Sequence, residues 1–265
     1  MTEALDLSAV SKAVVAGDWH GSDGAARDVI ERAAAQGIHT ILHVGDFGIG
    51  PWGDSSRSLT KMVDAALFKA RSVLLVVPGN HENHDRLDAA KRDDGGMIVL
   101  GKRLRALPFG HRFDLGGLRF GALGGAVSVD RERRMPGVSW WPQEAPTQAD
   151  VNRLGDDPLD VLLTHDVPWG CAPLKSGISG IPDYLVAEAD DVRRLLRQAV
   201  NRTRPRLVFA GHWHQRRIGT IEHPGGSTTT THVLDEQYTP GNAAVLDLAT
   251  LTVSMSGAPS NQGVA

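Results

Sequence analysis

The chain reads as an α/β fold built on mixed sheets, and three observations say so. Short apolar runs end in turn-forming polar residues, helical periodicities alternate with the early runs, and glycine-punctuated strand-like pieces fill much of the remainder. The run 13–16 leads into Gly17-Asp18, 40–44 into Gly45-Asp46, and 73–77 into Pro78-Gly79-Asn80-His81. Later, 161–163 leads into Thr164-His165-Asp166 and 207–210 into Gly211-His212. Runs this short, bounded by turn formers, predict strands buried on both faces.

Helical patterns lie between them. Ser22 or Asp23 can N-cap a segment that puts Ala26, Val29, Ile30 and Ala33 on one face, and Gly37 closes it. A second helix is predicted over 56–70 from Leu59, Met62, Val63, Ala66 and Leu67, a short third over 85–92, and a fourth over 190–202 from Val192, Leu195, Leu196 and Ala199. Strand-helix alternation over the first third predicts parallel strands joined by crossover helices. The pieces 97–100, 111–115, 118–123, 217–222, 228–234 and 243–254 predict antiparallel additions. The stretch 126–146, rich in Arg, Pro and Trp, predicts a long loop or cap on a single domain spanning 1–255, and 256–265 predicts a mobile tail.

Composition narrows the function. With 265 residues, 41% of them hydrophobic, the chain can bury a sizeable core. Its 28 basic against 31 acidic residues leave a formal charge of −3, which argues against an extended nucleic-acid track. No apolar run is long enough for a membrane span, and residues 1–10 do not resemble a signal peptide, so a soluble cytoplasmic protein is expected. The lone cysteine, Cys171, excludes an internal disulfide and a thiolate cluster, so any metal must rest on nitrogen and oxygen donors.

Such donors are present where α/β sheets bind ligands, at the carboxyl ends of strands: Asp18, His20, Asp46, Asn80, His81, His165, His212 and His214. Asp18 and His20, like His212 and His214, are one residue apart, so an extended backbone would turn both members to the same side. An all-N/O set suits Mn, Fe, Co or Zn more than Ca or Mg, and its size favours two metals over one. Asp-x-His and Gly-Asp arise readily by chance. Gly-Asn-His is expected only about 0.03 times in a chain of this composition and Gly-His-x-His about 0.05 times.

At these residues the chain resembles the calcineurin-like metallophosphoesterases, whose motif series is D-x-H, G-D, G-N-H-[DE], H and G-H-x-H. Here it stands as Asp18-Trp19-His20, Gly45-Asp46, Gly79-Asn80-His81-Glu82, His165 and Gly211-His212-Trp213-His214. The resemblance implies a four-layer α/β/β/α sandwich of two mixed sheets with a dinuclear centre at one edge. Asp18, His20 and His214 would bind one divalent transition-metal ion, Asn80, His165 and His212 a second, and Asp46 would bridge them. Manganese is the expected metal in assay, with Fe, Zn or Co as alternatives. Two such ions can share a hydroxide nucleophile and clamp phosphoryl oxygens, while His81 would contact the phosphate and protonate the leaving group. The implied activity is hydrolysis of phosphate esters, as a phosphodiesterase or phosphomonoesterase acting on small molecules such as nucleotides. A protein Ser/Thr phosphatase, a DNA nuclease and a non-catalytic metal-binding scaffold are the alternatives.

The chain departs from part of that family. Where protein Ser/Thr phosphatases continue G-D-x-V-D-R-G, it reads Gly45-Asp46-Phe47-Gly48-Ile49-Gly50. The acid that would orient His81 and the arginine that would hold phosphate are therefore missing. Glu82, Asp85 or Asp54 are candidates for the first role, and Arg131, Arg133 or Arg134 for the second. Trp140, beside Trp141, has two readings: a cap whose ring stacks on a nucleobase, or part of a hydrophobic lid packed on the sheet, the latter favoured. Because Trp19, Trp52, Trp169 and Trp213 also adjoin the motifs, all six tryptophans are expected around the metal edge. His39, His43, His84, His111, His223 and His232 match no motif and read as ordinary polar residues, with His84 a candidate support for the site.

Overall fold

A strand buried on both faces must feed two cores, and β1 (Lys12–Ala16) does so. Val14 and Ala16 share one apolar cluster with Ile30 of α1 (Asp23–Ala35) and with Leu59, Val63 and Leu67 of α2 (Asp54–Ala70). Ala13 and Val15 face the other way, into a cluster with Leu42, Leu75, Phe120, Leu163 and Phe209. In a third cluster Leu123, Leu162 and Val208 pack on Val151 of α4 (Gln148–Leu154) and on Leu196, Ala199 and Val200 of α5 (Asp183–Thr203). The computed structural model, which describes residues 3–50, 54–175 and 179–255, is thus layered helix, sheet, sheet, helix. The tail 256–265, Trp52 and the side chain of Asp54 lie outside what is described.

The first sheet runs β13 (Thr252–Met255), β12 (Ala243–Asp247), β1, β2 (Thr40–His43), β3 (Val73–Val76), β5 (Leu104–Ala106) and β4 (Ile98–Val99). The second runs β10 (Arg217–Glu222), β11 (Thr228–Val233), β9 (Leu207–Ala210), β8 (Val161–Thr164), β7 (Leu118–Leu123) and β6 (His111–Leu115). Both are mixed, as expected, but the later strands are not all antiparallel additions: β3–β5, β7–β8 and β9–β11 pair in parallel.

Local chemistry explains where the expected elements hold and where they shift. Ser22 caps α1 by accepting from the Ala25 N–H at 3.2 Å, a contact worth about 1 kcal/mol, and Gly37 follows the helix at φ +71°. The third helix, α3 (His84–Ala89), is shorter than expected, and the fourth begins well before residue 190. Strand β5 was hidden by a charge. Arg105 in its centre is 2% exposed and donates to Asp93 at 2.8 Å, so a residue that reads as surface is neutralised inside. The apolar stretch 243–254 divides into β12 and β13 because the chain reverses at Leu251, φ +55°. Residues 126–146 carry two short 3-10 turns, Arg131–Arg133 and Pro142–Glu144. Among the described residues no helix is long and apolar enough to cross a membrane.

Candidate metal centre

The parallel strands β1, β2 and β3 of one sheet and β8 and β9 of the other deliver their carboxyl-terminal loops to one place. Backbone bonds knit those loops together: Asp18 N–H to Gly45 O at 3.0 Å, His20 N–H to Asp46 O at 2.7 Å, and Gly211 N–H to His165 O at 2.9 Å. The paired donors do not share a side by lying on an extended backbone, as their spacing suggested. Asp18, His20, Asp46, His212 and His214 all have positive φ, between 43° and 65°. Left-handed backbone costs roughly 1–2 kcal/mol per residue, and such strain concentrates where a site requires it.

The residues preceding the ligands also matter through their lack of a side chain. A Cβ on Gly211 would lie 2.1 Å from Asp18 Oδ2, and one on Gly79 would lie 2.3 Å from Asp46 Oδ1. Carboxylates and neighbouring backbone approach more closely there than any other residue permits.

Within this space the donors fall into overlapping groups whose ligand atoms lie within 4.8 Å of one another: Asp18, His20 and His214; Asp46, His165 and His212; and His20, Asp46 and His81. His20 Nε2 is 3.0 Å from His214 Nε2, and Asp18 Oδ1 is 3.6 Å from the latter. Asp46 stands between the groups, with Oδ1 3.2 Å from His165 Nε2 and Oδ2 3.9 Å from both His20 Nδ1 and His81 Nε2. Asn80 Oδ1 is 3.1 Å from His165 Nε2. The set fits cations by a further test: Asp18 Oδ2 is buried and has no hydrogen-bond partner, a costly condition for a carboxylate unless something positive meets it. His165 Nδ1 lies 2.8 Å from Val44 O, and His214 Nδ1 3.5 Å from Glu236 Oε2; such outer contacts orient ligand rings.

Burial opposes ionisation of Asp46, yet the His165 and His81 rings hold its carboxyl well below the usual range. Burial likewise opposes a charge on His165, but the Asp46 carboxylate raises it to about 10. His212 is pushed down to about 3 by burial and then by charged His165. Asp46 thus favours a proton on His165, which cation binding would have to displace. Loading at neutral pH is expected to release protons and to weaken as pH falls. Calorimetry in buffers of different ionisation enthalpy would measure the release, and a value of zero would contradict a protonated His165.

His81 sits beside this group. Its backbone N–H donates to Asp46 Oδ1 at 3.0 Å, and its Nε2 accepts from Arg134 Nη2 at 3.0 Å. Burial lowers its pKa, Asp46 opposes that, and Arg134 adds to it. Neither described acidic candidate touches the His81 ring. Glu82 is fully buried and accepts from the N–H groups of Gly48 and Gly79, and Asp85 accepts from Trp141 Nε1 at 3.1 Å. His84 supports the loop by binding Gly79 O at 3.0 Å.

A cavity of about 740 Å³ opens from the donors, and Val129, Arg133, Arg134, Ile181, Val186 and Arg193 are among the residues that line it. Arg131 and Trp140 are not in its lining. Arg131 forms a two-pronged ion pair with Glu188 of α5, both contacts 2.6 Å, and lies 5.8 Å from the Trp140 ring. Of the tryptophans, Trp213 lines the cavity and, with Trp169, flanks Arg193, whereas Trp19 and Trp141 are buried. Motif reasoning did not find Arg193, Ser128, Glu144 or Glu236. They come from outside the strand ends, and nothing in their spacing marks them.

The profile of the family described as calcineurin-like phosphoesterase matches residues 11–216. No curated protein matches the chain in sequence. Among solved structures it is similar to a dimetal phosphatase from Danio rerio, at 14% identity and TM-score 0.55, over 91% of this chain and 93% of that one. It is also similar to the protein TT1561 of Thermus thermophilus, at 15% identity and TM-score 0.52, over 92% and 97% of the two chains. These likenesses concern the fold. The profile match spans most of the chain and includes every donor above, so the chain belongs to the calcineurin-like phosphoesterases, metal-dependent hydrolases of phosphoric esters.

Proposed function

We propose that this chain hydrolyses phosphate esters of small organic molecules, nucleotides among them, at a centre of two divalent cations. The observation that carries this reading is the cavity of about 740 Å³ that opens directly from the donor groups. Sites for small organic ligands span roughly 300–1,000 Å³, far more than a terminal phosphate requires. Room for ester substituents beside the phosphoryl group supports phosphodiesters as well as monoesters.

In this reading Asp18, His20 and His214 hold one cation, Asn80, His165 and His212 the other, and Asp46 both. Manganese is the first choice for reconstitution, with Fe, Zn and Co equally suited to these donors. Two cations there supply charge stabilisation of the phosphoryl oxygens and a lowered pKa for water. Arg134 contacts the phosphoryl group through Nη1, which is buried without a partner, while its Nη2 pairs with Asp130 Oδ1 at 2.8 Å and lies 3.0 Å from His81 Nε2. When a phosphoryl oxygen draws that guanidinium away, a cause of the lowered His81 pKa is removed, and Nε2 can take up a proton from solvent and pass it to the leaving oxygen. Arg133 and Arg193 meet further substrate groups, while Arg131 and Trp140 hold the 126–146 segment against α5. We place the protein in the cytoplasm, a reading supported by its single cysteine, Cys171, which is free and buried.

The test is a panel on the Mn²⁺-reconstituted chain: nitrophenyl mono- and diesters, nucleotides and phosphopeptides. Turnover of diesters and nucleotides above that of phosphopeptides is expected. Preference for phosphopeptides would make the chain a protein phosphatase, and silence on the whole panel would make it a scaffold.

A further inference from the structure

A carboxamide has two ends of nearly the same shape, and only the oxygen can bind a cation. Something must decide which end of Asn80 faces the centre. Its Nδ2 lies 2.9 Å from Ser128 Oγ, and that hydroxyl lies 2.6 Å from Glu144 Oε2. The Ser128 backbone N–H donates to the other carboxylate oxygen, Oε1, at 2.7 Å. Asn80, Ser128 and Glu144 are 2%, 1% and 2% exposed, so no bulk water substitutes for any of these bonds.

The direction of the chain follows from counting protons. Burial raises the Glu144 carboxyl to about 7, with the two bonds from Ser128 opposing the rise. Above that pH the ionised carboxylate only accepts, so the hydroxyl proton of Ser128 is directed to Glu144. Oγ then has only lone pairs left for Asn80, and the amide must present its N–H. Oδ1 is thereby turned the other way, to the side where it lies 3.1 Å from His165 Nε2. With a donor at Glu144 the hydroxyl could reverse and hold the amide with its nitrogen toward the centre.

We propose that Glu144, acting through Ser128, is a positioning residue that fixes the Asn80 carboxamide with its oxygen toward the second cation. The inference rests on Asn80 being a ligand, as in the functional reading above. It also gives the 126–146 segment a role apart from substrate contact, since it contains both Ser128 and Glu144.

The experiment is Mn²⁺ titration of the whole chain by calorimetry, buffered on the alkaline side of the Glu144 pKa and with no ester substrate present, on Ser128→Ala, Glu144→Gln, the double variant and Asn80→Ala. Glu144→Gln keeps shape and introduces a donor. Ser128→Ala keeps the backbone bond to Glu144, so at least one single variant is expected to unfold thermally like the parent without metal. Each single variant should lose about 10–100-fold in affinity at one of two Mn²⁺ sites, the usual effect of removing an outer partner, and leave the other unchanged. The double variant should lose no more than the worse single, because the residues act in series. If Asn80→Ala weakens one site while Ser128→Ala and Glu144→Gln do not, the positioning role is wrong. If Asn80→Ala leaves both sites intact, the ligand assignment itself fails.

Discussion

Asp46→Asn is expected to remove cation content and turnover together. This carboxylate stands between the two donor groups, 3.2 Å from His165 Nε2 on one side and 3.9 Å from His20 Nδ1 on the other. An amide of the same shape removes a charge that both cations would share and offers only one oxygen in place of two. The rate should fall on the order of 10³-fold or more, beyond the ~10–100-fold that outer partners cost. Because Asp18 and His20 follow a strand of one sheet and His212 and His214 a strand of the other, cations should also tie the sheets together. Mn²⁺ should therefore raise the parent's Tm by mass action and leave that of Asp46→Asn nearly unchanged. Retention of two Mn²⁺ per chain and of turnover in the variant would remove Asp46 from the bridging position.

His81→Ala should behave in the opposite way: cations stay, rate goes. The ring lies beside the donor groups, with Arg134 Nη2 3.0 Å from Nε2. Loss of a proton donor costs about 10²–10⁴-fold, and the cost should depend on the leaving group. Alkyl esters, whose leaving oxygens need a proton, should lose most, and nitrophenyl esters least. A variant that kept full rate on alkyl esters would disprove the acid role, and one that lost Mn²⁺ would make His81 a ligand, as its place with His20 and Asp46 would allow.

The donors are legible in the sequence because each follows an apolar run, and buried strands of four or five residues are what sequence patterning reports best. The layered sheets follow from the same runs. Less visible is anything set by compensation between distant residues. Arg105 looks like a surface residue until Asp93 is placed beside it. Glu82 and Asp85, the candidate acid partners of His81, instead bind backbone N–H groups and the Trp141 ring nitrogen. Helix α4 carries a readable signal, Thr147 and Asp150 in a capping box, but its seven residues are too few for periodicity to mark. Strand polarity in the second sheet differs from expectation because short strands bear no trace of direction.

The glycines before the ligands have a consequence for how a centre of this kind can be lost or borrowed. With Gly79 and Gly211 leaving room that a methyl group would close to 2.3 and 2.1 Å, the donors occupy space the backbone concedes to them. A descendant that kept every histidine and aspartate but acquired alanine at either position would carry the full inventory of donors with no place to assemble them. Grafting the ligands onto another scaffold would fail for the same reason. What must be inherited is a set of vacancies along with a set of side chains.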